Sequence, residues 1–316
     1  MPTDILADTT FVNLLDNKIS SIEGQLDHIA QLENLKLNNM FYTFPNLSNV
    51  GSHLKLLYLK DNNMVEIPAN HLPLMPKLTG IWLNGNSLAY LPDMSKIPEV
   101  EIVSVAYNRI THICSSQIQQ LHQIKNLWLT GNPLRVFPDL TPIAMTLEVL
   151  GVAEVGLTVV PGHLIDPLIS LHTLYLNGNK LVEFPSTNIL NIDTKLKKLA
   201  LSGNPITSIS QHEMEVLSFV KEVNVERTQI ITLPEHRSIT QTHFNLTGSK
   251  FAACACDNSW VKLPGCNVTV TVDDVTCPGA AKPWSQMSYD ELTSVCSPHL
   301  PVDIHDETER KCSIFI

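Results

Sequence analysis

Leu78-Thr79-Gly80-Ile81-Trp82-Leu83-Asn84-Gly85-Asn86-Ser87-Leu88 is the stretch that decides the fold. Its apolar residues fall at 78, 81, 83 and 88, with an asparagine at 86. The spacing returns in Ile124, Leu127, Leu129, Asn132 and Leu134, and again in Leu171, Leu174, Leu176, Asn179 and Leu181. Further copies place the asparagine at Asn17, Asn62, Asn108 and Asn204. Apolar-x-apolar is the alternation of a short strand with one buried side. Repeated at a fixed period, such strands stack in parallel and share one core. The asparagine turns the chain out of the strand, and its amide can bond backbone groups of neighbouring turns. A ladder of amides is therefore expected. Three copies depart from it: Val155 and Thr228 stand where asparagine belongs, and Leu35-Lys36-Leu37-Asn38-Asn39 is one residue short if Asn39 is the rung.

The pattern is the leucine-rich-repeat (LRR) signature. The fold it implies is an α/β solenoid, a horseshoe whose concave side is a parallel β-sheet. A longer period overlies the short one. Phe44-Pro45, Leu91-Pro92, Phe137-Pro138 and Phe184-Pro185 recur every 46 or 47 residues. Between them lie longer returns such as Val160-Pro161-Gly162-His163-Leu164. Two kinds of repeat alternate, and proline suits the return rather than the strand. The count is ten repeats plus a partial one at Phe244-Asn245-Leu246. At about 4.8 Å per strand the sheet should run on the order of 50 Å.

The composition is globular: 44% hydrophobic, 16% charged, net charge -10. That balance argues against nucleic acid as a partner, which would need a basic face. No apolar run is long enough to span a membrane. Met1-Pro2-Thr3-Asp4-Ile5-Leu6 has no basic stretch followed by an apolar segment, so it is not a signal peptide and reads as the middle of a repeat. An N-terminal cap is expected to be missing, because an open end exposes core.

Six of the seven cysteines follow the last repeat: Cys254, Cys256, Cys266, Cys277, Cys296 and Cys312. Cys254-Ala255-Cys256, Trp260, Cys277-Pro278 and Cys296 together resemble the cysteine-rich C-terminal cap of extracellular LRR proteins. Toll-like receptor ectodomains, Slit-type guidance proteins and invertebrate surface or secreted LRR proteins carry it. The resemblance implies Cys254 joined to Cys277 and Cys256 to Cys296, with Trp260 in the cap core. Cys266 and Cys312 exceed the pattern, and their connectivity stays open. Cys114, in a repeat return, reads as a free thiol. A zinc site is disfavoured because paired C-x-x-C motifs are absent. The expected organisation is a repeat array over 1–250, a cap over 251–297 and a tail over 298–316, which offers no prenylation anchor. Sequons at Asn46, Asn245 and Asn267, together with the cap, place the chain outside the cell, secreted or as an ectodomain.

No nucleophile elbow, P-loop, dinucleotide fingerprint or complete H-E-x-x-H occurs; His212-Glu213-Met214-Glu215 lacks the second histidine. No cofactor or metal is expected, and the chain does not read as an enzyme. What remains is the residue between the two inward strand positions. In order this column is Asn13, Lys36, Tyr58, Trp82, Ser104, Trp128, Gly151, Tyr175, Ala200, Asn224 and Asn245. Tyr58, Trp82, Trp128 and Tyr175 are the candidate ligand-binding residues, since exposed tryptophan and tyrosine are frequent interface hot spots. They are expected as ridges about 10 Å apart with shallow troughs between. The bland alternative is that they pack along their neighbours and stiffen the sheet. Lys125, Asn126, His172, Thr173, Lys197, Lys198, Glu222 and Glu226 flank them, most simply as a solvated rim. Two functions follow. One is recognition of a protein or glycan on the concave face, in adhesion, matrix or immune-receptor contexts. The other is a structural matrix protein acting through assembly, including a homodimer. The absence of Ser-Gly attachment sites in acidic context favours recognition.

Overall fold

The computed structural model describes residues 5–17, 19, 21–38, 41–69, 71–185, 195–236 and 241–296. Asn39, Cys312 and the tail 298–316 lie outside them. Two compact units divide the chain: residues 1–156 with 163–172, and residues 157–162 with 173–316.

The first unit holds seven strands: β1 (Phe11–Leu14), β2 (Asn34–Leu37), β3 (Leu56–Tyr58), β4 (Gly80–Trp82), β5 (Ile102–Ser104), β6 (Asn126–Trp128) and β7 (Val149–Gly151). Each pairs in parallel with the next. The second unit holds β8 (Thr173–Tyr175), β9 (Lys198–Ala200), β10 (Glu222–Asn224), β11 (Thr242–Asn245) and β12 (Val268–Thr271), also parallel and in chain order. The inward residues carry the core of each unit. Leu57, Ile81, Val103 and Leu127 are wholly buried in the first, Leu174, Leu199, Val223 and Phe244 in the second. Most strands stop after three residues because a left-handed turn and then the asparagine follow.

The amide ladder begins at Asn62. Its Oδ1 accepts from the Phe41 amide, and its Nδ2 donates to the carbonyls of Leu59 and Leu37. Asn86, Asn108 and Asn132 repeat this, each reaching one carbonyl in its own turn and one in the turn before. In the second unit Asn204 does the same, and Asn179 accepts from Leu157. Asn17 is not a rung. It is exposed and donates only to its neighbour Leu15. Asn38 in the next repeat is buried but bonds Asp16 instead, because the shortened repeat places it too early. Thr228 keeps part of the pattern: its hydroxyl donates to Val225, the same three-residue reach that each asparagine makes. Val155 is simply buried.

The turn residue before each rung has positive φ. Glycine fills it at Gly85, Gly131, Gly178, Gly203 and Gly248, while Asp61, Tyr107, Glu154 and Arg227 adopt it as non-glycines. Left-handed backbone costs a non-glycine roughly 1–2 kcal/mol. The two classes are matched in space. A Cβ on Gly131 would meet Tyr107 at 2.4 Å, one on Gly85 would meet Asp61 at 2.2 Å, and one on Gly248 would meet Arg227 at 3.2 Å. Asp61, Tyr107 and Arg227 each lie over the glycine of the following repeat, whereas Gly203 faces Gly178.

The C-terminal region packs Ala253, Cys277, Trp284, Met287 and Leu292 into a small core. Disulfides join Cys254 to Cys277 and Cys256 to Cys296. Trp260 is buried but is not part of that cluster, its indole Nε1 donating to the Leu233 carbonyl at 3.1 Å. Ser288 caps the helix Tyr289–Val295 in a reciprocal box with Glu291. The Lys262 ammonium sits 3.8 Å above the Trp284 ring, and burial lowers its pKa. A cavity of about 600 Å³ opens between Leu233, Pro234, Trp260, Tyr289 and the Cys256–Cys296 bridge.

Candidate ligand-binding face

Strand register brings the outward residues of the first unit into two columns. One is Asn13, Lys36, Tyr58, Trp82, Ser104, Trp128 and Gly151; the other is Phe11, Asn34, Leu56, Gly80, Ile102, Asn126 and Val149. Tyr175 falls on the equivalent column of the second unit, beside Ala200.

The aromatic side chains do not stand up as separate ridges. Tyr58 and Trp82 stack with ring centroids 4.1 Å apart. The Trp82 indole lies back along its own strand over Gly80, where an added Cβ would come within 2.6 Å of it. Trp128 leans over Gly151 on the next strand, 2.4 Å from where a Cβ would be. Gly80, Ser104 and Gly151 are buried although they face outward, so small residues receive the rings. The rings remain half-exposed on this outward surface.

Lys36 extends that surface. Its ammonium is 4.6 Å from the Tyr58 ring centre and 5.5 Å from that of Phe11. Such cation–π contacts are worth about 0.5–1 kcal/mol at exposed sites. Neither column of the first unit contains a carboxylate. The acids stand just ahead of the strands: Glu33 forms an ion pair with Lys55 and Glu101 with Lys125, and Glu148 lies 3.3 Å from the His172 imidazole. Glu101 raises the Lys125 pKa by hydrogen bonding and charge. These pairs are half-exposed and contribute little to stability. The sequence pattern alone could have pointed to Lys36 and Phe11, which share the register, but not to the direction in which each ring falls.

The outward face of the second unit has different chemistry. Its columns are Thr173, Lys198, Glu222, His243 and Thr269, then Tyr175, Ala200, Asn224, Asn245 and Thr271. Lys198 pairs with Glu222 at 2.6 Å, which raises the lysine pKa. Asn224 accepts from the Ser202 hydroxyl, and both Asn224 and Asn245 donate to the Glu226 carboxylate. Asn46 and Asn267 are exposed, Asn245 half-exposed.

Solved structures share this architecture. A chain of the octameric complex of Latrophilin 3, Unc5D and the LRR of FLRT2 aligns over 93% of both chains, with TM-score 0.59 and 18% identity. Human 5T4, a trophoblast glycoprotein, aligns over 72% of this chain and 90% of its own, with TM-score 0.55 and 16% identity. The functional domain of InlJ from Listeria monocytogenes, described as including a cysteine ladder, aligns over 78% and 54%, with TM-score 0.53 and 16% identity. Among curated proteins, human leucine-rich repeats and immunoglobulin-like domains protein 3 is 30% identical over 102 residues, 32% of this chain. This chain has the leucine-rich-repeat fold. The match spans 9% of the length of that human relative. No protein-family model matches the LRR chain. No helix among its described residues is long and apolar enough to cross a membrane.

Proposed function

We propose that this LRR protein is an extracellular binding scaffold, not an enzyme, that takes a protein ligand on the outward face of strands β1–β7. Residues 1–250 would carry the array and 251–297 close it. The observation that carries this reading is the composition of that face. The chain has a net charge of -10. Yet the two columns hold Phe11, Leu56, Tyr58, Trp82, Ile102, Trp128 and Val149 with one lysine and no acid. An exposed aromatic and aliphatic patch rimmed by charge marks an interaction surface. The structural neighbour within the Latrophilin 3 and Unc5D complex supports a protein partner for this fold. The two cap disulfides support an oxidising compartment.

The test is a binding screen of the secreted protein against a panel of cell-surface and matrix domains by surface plasmon resonance. Any partner found is then measured with Trp128→Ala and Leu129→Ala. Trp128→Ala should weaken binding by about 2 kcal/mol or more, roughly thirty-fold, while lowering stability by about 1 kcal/mol. Leu129 is wholly buried, so its truncation should cost about 2–5 kcal/mol of stability. Unchanged affinity in Trp128→Ala with a lowered melting temperature would assign the aromatic column to packing.

A further inference from the structure

The sequon Asn245-Leu246-Thr247 starts at the last residue of β11, and Asn245 stands on the outward face of that strand. Its neighbours on that face are polar throughout. Asn224 and Thr271 flank Asn245 in register, and His243 stands two residues before it on the same side. His243 in turn contacts the hydroxyls of Thr269 and Thr271 at 3.0 and 3.3 Å. Thr247 donates its hydroxyl to Asn245 Oδ1 at 2.8 Å, as Ser48 does to Asn46 in the exposed sequon of the first unit. That bond turns the amide so that Nδ2 points away from the threonine, towards Glu226. Neither outward column of the first unit holds a sequon.

We infer that Asn245 carries an N-linked glycan, and that the glycan covers the polar outward face of β10–β12 and closes it to protein ligands. The chemistry is ordinary amide glycosylation. Nδ2 attacks the anomeric carbon of a polyprenyl-pyrophosphate-linked oligosaccharide. The N–C bond forms as the C–O bond to the pyrophosphate breaks; the pyrophosphate leaves with the bonding pair, and one amide proton passes to a base. The amide began with two N–H groups. One remains, and it keeps a donor for Glu226. The hydroxyls of Ser202 and Thr271, the Asn224 amide and the His243 imidazole offer the first sugars hydrogen-bond partners on a surface with little apolar area to lose. Sheet faces within one chain thus divide their work: the aromatic face of β1–β7 stays bare, and the polar face of β10–β12 is covered.

The inference rests on the extracellular reading, and the experiment separates the two. The full chain is secreted from insect cells behind a signal peptide. Enzymatic deglycosylation in heavy-oxygen water, followed by peptide mapping, reads occupancy at Asn46, Asn245 and Asn267. Hydroxyl-radical footprinting then compares His243 in the wild type with Thr247→Ala and Asn245→Gln. Occupied Asn245, with His243 labelled several-fold faster in both variants, is the expected result. Asn46 or Asn267 occupied with Asn245 bare overturns the glycan and leaves the extracellular reading standing. No occupancy at any of the three in the secreted chain likewise overturns the glycan, whereas failure of the chain to leave the cell folded overturns the extracellular reading. Occupied Asn245 with unchanged labelling of His243 overturns the covering of the face.

Discussion

Tyr58 and Trp82, on adjacent strands and in register, lie with their ring planes 6° from parallel and their centroids 4.1 Å apart. The stack depends on Gly80, over which the indole rests. Gly80→Ala puts a methyl within 2.6 Å of the ring, so the indole must move. Crowding of this kind costs about 1–3 kcal/mol. The near-ultraviolet circular dichroism of the pair should change and the melting temperature fall. Identical spectra and stability would show that the indole is not held there.

Rungs of the ladder should differ sharply from the failed rung. Asn132 is buried, accepts from Ile110 and donates to Leu129 and Val105. Asn132→Ala strands those groups and should cost about 1–3 kcal/mol. Asn17→Ala removes an exposed local contact and should fall within about 0.5 kcal/mol of wild type. Urea titration of the two variants measures the difference; equal effects would contradict the assignment of Asn17 outside the ladder.

Acid should loosen the cap helix. Hydrogen bonds from Lys282 first, then from the Ser288 amide and hydroxyl, hold the Glu291 carboxyl at about 2, against an ordinary 4.5. The folded carboxyl therefore binds fewer protons than the unfolded one in that window. Its contribution is complete above about pH 4.5 and is lost as pH falls towards about 2. Exchange of the Leu292 and Cys296 amides should accelerate across that range in wild type. In Glu291→Gln the acceleration should be absent, with faster exchange already at neutral pH.

The two cap disulfides should reduce in order. Cys277 is 1% exposed and belongs to the cap core. Cys256 and Cys296 are both half-exposed and line the cavity of about 600 Å³. A limiting phosphine should reach the second bridge first, because thiol–disulfide reactivity follows access. Timed alkylation and mass mapping should label Cys256 and Cys296 before Cys254 and Cys277. Simultaneous labelling would mean that the cap opens as one unit.

Spacing alone carries the strands, because a one-residue slip would turn Leu57, Ile81 and Leu127 outward. It therefore also carries the register of the outward columns from Asn13 to Gly151 and from Tyr175 to Asn245. What it does not carry is depth. Trp82 and Trp128 look exposed in a pattern, yet whether an aromatic stands or lies down is decided by glycines on its own strand or the next. Asn17 satisfies the pattern, yet it is exposed and donates only to Leu15 two residues back, while the Asp16 amide beside it donates to Asn38 of the shortened repeat. The bond between Asn245 and Glu226 crosses strands, so neither residue's local sequence announces it. Cap pairing came with the resemblance; spacing left it open.

Tyr107 over Gly131, Asp61 over Gly85 and Arg227 over Gly248 give the array a grammar of pairs. A single repeat inserted beside Asp61, Tyr107 or Arg227 would bring two bulky turns together, whereas two glycine turns, as at Gly178 and Gly203, stack without a clash. Two neighbouring repeats moved as a block keep each overhanging side chain with the gap that receives it. Lengthening or shortening this protein, whether by genetic duplication or at the bench, should therefore be better tolerated in doublets of about 46 residues than in singlets that set two bulky turns side by side. The Phe-Pro and Leu-Pro cadence of the chain is then the footprint of how it was able to grow.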